Sequence, residues 1–201
     1  MGAVALARSL MESHGDTARR EIARRGLIYF DDVLDEIREL RDPISRAALA
    51  VTAAHDLVER GAGPLERTCV AAIEAMWRTL GSATDGVVPA NSDWLEPLAE
   101  AERSDVADRD SVAATLYAKE AVASGSSAAA AFAVGRLIDD CFARVDAGGT
   151  AEDFAEACGS PLVQTALRRI RSELSLLRIH GPTPAQLERL KSLRFPRLGE
   201  P

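Results

Sequence analysis

The stretch DPISRAALAVTAAHDLVERGAGP, Asp42–Pro64, decides how the whole chain is read. Asp42 is a helix-capping residue, and Pro43 suits the first helical position, where its missing N–H costs nothing. Ile44, Ala48, Val51, His55 and Val58 then recur at 4-3-4-3 spacing, one line along an α-helix. Gly61-Ala-Gly-Pro64 ends that helix and starts another. His55 lies on the core line, with Asp56 beside it and Glu59 one turn on.

The same period runs outward in both directions. Upstream, Thr17 to Arg25 reads as a helix ended by Gly26, and YFDDVLDEIRELRD carries an apolar stripe of Phe30, Val33, Leu34, Ile37 and Leu40. Asp32, Asp35, Glu36 and Glu39 face away from it. Downstream, Leu65 to Leu80 sets Cys69, Ile73, Met76, Trp77 and Leu80 on one face. Gly81 to Asn91 has loop chemistry. Ser92 or Asp93 caps a short acidic helix with Trp94, Leu95 and Leu98 turned inward, and Pro97 limits its length. Further helices are expected from Asp110 or Ser111 to Ala123, from Ala128 to Val145, and from Thr150 to Cys158. Ser160-Pro161 opens a longer one, whose seam is Val163, Leu167, Ile170, Leu174 and Leu177. Thr183-Pro184 caps a last segment to Leu193. The expected architecture is a single all-α domain, 1–201, built as a bundle of about eight to ten helices with a loosely ordered tail at 194–201.

Composition agrees. The chain has 201 residues, 47% hydrophobic and 27% charged, an ordinary globular balance. Only 4% are aromatic, so the core must be made of Ala, Leu, Val and Ile. Cys69, Cys141 and Cys158 are odd in number and far apart, which fits free thiols in the cytoplasm and not a disulfide or zinc framework. MGAVALARSLMESHGD has a short apolar run broken by Arg8, too short and too interrupted for a signal peptide, and no run is long enough to cross a membrane.

The net charge of −7 is uneven. Asp93 to Asp110 carries Asp93, Glu96, Glu100, Glu102, Asp105, Asp108 and Asp110 against two arginines, a local balance of −5. From Pro161 onward the balance is +5. An acidic body disfavours nucleic acid, because neutralising phosphates needs a basic surface. Arg168, Arg169, Arg171 and Arg178 leave a small opening for it.

His55, Asp56 and Glu59 are the candidate metal ligands, since His55 and Glu59 share a helix face. A helical di-metal site needs further inward carboxylates, typically with Glu-x-x-His, which this sequence lacks. The His-Asp dipeptide resembles HD-type phosphohydrolases, which are all-helical and add spaced histidines and a later aspartate; here the other histidines are His14 and His180, far from it. The competing reading is a hydrogen-bonded histidine at the edge of the core. GxxxxGK[ST], GxGxxG and GxSxG are absent, so no catalytic residue is assigned and no cofactor is expected.

Several stretches together resemble the YjaG-like family of all-helical bacterial proteins: FDDVLDEIREL, then AAHDLVERGAGP with Glu59, Arg60 and Pro64, then AIEAMWRTL around Trp77, then RDSVAATLYAKEAVASGSSAAAAFAVGRL. The resemblance covers about residues 28–145 and leaves out the C-terminal basic helix. It implies a helical bundle and carries over no activity, cofactor or catalytic residue. The functional expectation is a non-enzymatic interaction module, immunity-type or regulatory. Asp93, Glu96, Glu100, Glu102 and Asp105 would bind a basic protein partner, with a homo-oligomer left open and no membrane or nucleic acid. The alternative is a metal-dependent hydrolase centred on His55 and Asp56.

Overall fold

The computed structural model describes residues 17, 19–60, 64–83, 110–145, 151–180 and 182–192. Among them the chain is all-helical, with eight helices beyond the helical residues 19–24. These are α1 (Phe30–Arg38), α2 (Pro43–Arg60), α3 (Pro64–Gly81), α4 (Asp110–Ser124), α5 (Ser127–Ala143), α6 (Ala151–Gly159), α7 (Pro161–His180) and α8 (Pro184–Ser192). The expected bundle is what forms. The acidic segment from Asp93 to Asp105 and the tail at 194–201 lie outside the described residues.

Local chemistry sets several boundaries. The Ser45 N–H donates to Asp42 Oδ2 at 2.6 Å, so Asp42 caps α2 as its position ahead of Pro43 implies. Ser126 caps α5 by accepting from the Ala129 N–H at 3.1 Å. Thr183 and Gln186 form a reciprocal box at the start of α8: the Gln186 N–H donates to Thr183 Oγ1 at 3.3 Å, and the Thr183 N–H donates to Gln186 Oε1 at 3.0 Å.

Helix α2 is the axis of the bundle. It packs against α3, α4, α5, α7 and α8, and 14 of its 18 residues are buried. The 4-3-4-3 line of Ile44, Ala48, Val51, His55 and Val58 is buried throughout, yet it marks only one of the faces that partners cover. A helix buried all round must be small or apolar on every side. Ala47, Ala50, Ala53 and Ala54 meet that need, and the alanines of α4 and α5 let neighbouring backbones approach. Helix α4 is similar, with Ala114, Ala118 and Ala121 fully buried and Thr115 beside them. The larger side chains fill the remaining space: Ile37, Ile73, Met76, Leu80, Leu137, Leu167 and Leu174 are all essentially inaccessible. Each such aliphatic side chain contributes roughly 1.5–3 kcal/mol relative to exposure.

The turn between α4 and α5 docks on the start of α2. Gly125 has φ +67°, and a Cβ there would lie 2.8 Å from Pro43 Cβ. Only glycine meets both demands, a left-handed backbone and a close approach.

Aromatic side chains are few and concentrated. Phe30 of α1, Phe142 of α5 and Phe154 of α6 meet at centroid distances of 5.4–6.1 Å, with Phe142 and Phe154 stacked. Phe132 lies apart from them: it is 48% exposed on α5, beside Tyr117 of α4.

Candidate functional site

His55 and Asp56 are adjacent in the chain but turn to different helices. Successive residues on a helix point about 100° apart, so a dipeptide seldom serves one site. The Trp77 Nε1–H of α3 donates to His55 Nδ1 at 3.3 Å. That contact makes Nδ1 the acceptor and leaves the proton on Nε2, which lies 3.3 Å from Glu59 Oε1. His55 is 4% exposed. It is a core histidine held between a tryptophan donor and a carboxylate.

Asp56 turns toward α7. Arg169 Nη1 stands 2.9 Å from Asp56 Oδ2, and Arg169 Nε donates to Glu173 Oε1 at 2.8 Å. Both carboxylates are buried. Burial pushes the Glu173 carboxyl above its ordinary value, Arg169 pulls it back, and the Asp56 charge adds to the rise. Thr52, one turn before Asp56, donates its hydroxyl to the Ala48 carbonyl at 2.8 Å.

The three candidate ligands therefore do not share one centre. His55 and Glu59 meet on the α3 side, while Asp56 joins Arg169 and Glu173. Among the described residues no group of three His, Cys, Asp or Glu side chains could hold a metal ion. What the cluster can do is hold charge and protons between α2 and α7.

The candidate partner-binding residues Asp93, Glu96, Glu100, Glu102 and Asp105 lie outside the described residues, as does Trp94. Their segment leaves α3 at Gly81 and enters α4 at Asp110, and those two helices pack against each other. Asp110 itself meets Arg136 of α5 at 3.3 Å.

Three of the four arginines considered for nucleic acid are used inside the fold. Arg169 holds Asp56 and Glu173. Arg171 and Arg178 both donate to the Glu36 carboxylate, at 2.9 and 3.2 Å, and Arg178 also reaches the Glu36 carbonyl at 3.1 Å. Glu36 does face away from the stripe of α1, as its spacing implies, but it faces α7. Arg168 is exposed.

Sequence reasoning missed Glu173 and Gln164. Glu173 falls between Ile170 and Leu174 of the α7 seam and four residues after Arg169, a spacing that signals a helix pair but not burial. Gln164 sits next to Val163 and gives no local signal at all. Its side chain accepts from the Ile28 N–H at 3.1 Å and donates to the carbonyls of Ile28 and Cys158 at 3.0 and 2.8 Å.

Cys69, Cys141 and Cys158 are free and buried. Burial pushes the Cys158 thiol up to about 12 and raises that of Cys141, against the pull of Arg60. Thiols so placed are poor nucleophiles. Among the described residues no helix is long and apolar enough to cross a membrane. No family model, curated protein or solved structure matches the chain.

Proposed function

We propose that the chain is a non-enzymatic helical interaction module, immunity-type or regulatory, whose acidic segment Asp93–Asp110 binds a basic protein partner. One observation carries this reading. A local charge of −5 lies in the stretch of chain joining two helices that pack directly on each other. Opposite potentials speed encounter and fix orientation, so a concentrated acidic stretch suits a basic surface. The charged residues around His55 and Asp56 serve helix packing instead, which supports a scaffold role for the bundle. The free thiols favour a cytoplasmic setting.

The test is affinity capture with the wild-type chain and with the Glu96→Lys, Glu100→Lys, Glu102→Lys triple variant, followed by Kd measurement on the recovered partner. The triple variant should keep its helical circular dichroism and lose binding. Wild-type affinity should weaken as salt is added. Equal affinity for both proteins ends this reading.

A further inference from the structure

Two buried carboxylates lean on one guanidinium where α7 docks on α2. Asp56 is 3% exposed and Glu173 4%. Beside them, bounded by Thr52, Leu137 and Ile170, is a cavity with about 10 Å³ open to the centre of a water molecule, room for one at most. We propose that this cluster is a proton-operated latch: Glu173 holds a proton while α7 is docked, and losing it loosens α7 from the bundle.

The surroundings of Glu173 argue for it element by element. On its own helix, Arg169 donates to it but also faces Asp56, so the cation is shared. From α2 comes the Asp56 charge, which repels an ionised Glu173; His55 on that helix is turned away to Trp77 of α3. From α5, Val134 and Leu137 line the adjoining cavity and solvate nothing. From α8, Arg189 contributes an attraction smaller than the effect of burial. Helix α1 engages the other side of α7 through Glu36 with Arg171 and Arg178, and α6 reaches α7 through the Cys158 carbonyl at Gln164. An ionised Glu173 would therefore sit in an apolar seam, flanked by Ile170 and Leu174, on a guanidinium already claimed.

The direction follows from linkage. The folded chain holds this proton more tightly than the unfolded chain, where glutamate releases it near 4.5. Stability contributed by protonated Glu173 is then full at low pH and is lost as pH rises through the folded value. The latch does not depend on the acidic segment or its partner.

Urea midpoints of the wild type and of Glu173→Gln, measured from pH 4.5 upward, test it. Glutamine keeps the shape and an acceptor for Arg169 Nε but cannot ionise. The wild-type midpoint should fall as pH rises; the variant, in which burial still raises the Asp31 and Asp110 carboxyls, should fall less in the same interval and exceed the wild type at neutral pH. Parallel midpoints overturn the proposal. Native-state hydrogen exchange at one neutral pH assigns the moving element. Amides of α7 should exchange several-fold faster in the wild type than in Glu173→Gln, with a smaller change in α4. An unchanged α7 overturns the latch even if the midpoints differ.

Discussion

Gln164 of α7 satisfies both backbone groups of Ile28, accepting from its N–H at 3.1 Å and donating to its carbonyl at 3.0 Å. A side chain from late in the sequence thus does for the 27–29 connection what a neighbouring strand does in a sheet. Its second donor contact, to the Cys158 carbonyl, ties in the end of α6. Gln164→Leu keeps most of the volume and strands an N–H and two carbonyls. The loss should be about 2–3 kcal/mol in urea unfolding, since an orphaned buried polar group costs about 1–3 kcal/mol. A loss under about 0.5 kcal/mol would mean that water replaces the glutamine.

Trp77→Phe removes the indole donor and leaves His55 Nδ1 buried without it. Destabilisation of about 1–3 kcal/mol is expected, with His55→Ala at least as costly because it also opens space in the core. Elemental analysis of protein purified without chelator should show no stoichiometric transition metal in wild type or variant. A bound metal lost on His55→Ala would restore the hydrolase reading.

Arg169→Met should be among the most damaging single changes. It leaves Asp56 and Glu173 without the guanidinium they share, and breaking a buried ion pair from one side costs about 3–5 kcal/mol. The deficit should shrink in acid, where Glu173 is protonated. Thermal melts at neutral and acidic pH compare the two, and a pH-independent deficit would show that the loss does not run through the contact with Glu173.

Gly125→Ala and Gly135→Ala should move stability in opposite directions. Gly125 combines φ +67° with a Cβ position 2.8 Å from Pro43, so alanine there should cost at least about 1 kcal/mol. A Cβ at Gly135, inside α5, meets nothing within 4 Å, and alanine should stabilise by about 0.5–1 kcal/mol. Melting temperatures of the pair are read against the wild type.

The native protein should resist thiol reagents. All three cysteines are buried, and burial holds the Cys158 thiol at about 12. Thiol-disulfide exchange dyes should label essentially none at neutral pH and all three once urea is added. Rapid labelling without urea would point to local opening around a cysteine.

The helices were written into the sequence residue by residue. Asp42 before Pro43, Ser160 before Pro161 and Thr183 before Pro184 act over a single turn, and the seam Val163, Leu167, Ile170, Leu174 and Leu177 needs only the helical period to be seen. All five of those residues are buried. The helix count and the all-α class follow from such signals, because hydrogen bonding and capping in a helix are local. Tertiary structure alone decided what the charged and polar residues do. His55 and Asp56 are neighbours in sequence, yet one faces Trp77 and the other Arg169, because five helices surround α2 and each face has its own partner. The alanines of α2 and α4 hid this burial, being compatible with any face. Pairs such as Asp56 with Arg169 and Ile28 with Gln164 join residues more than a hundred positions apart, where no periodicity reaches and only the packing of whole helices brings them together.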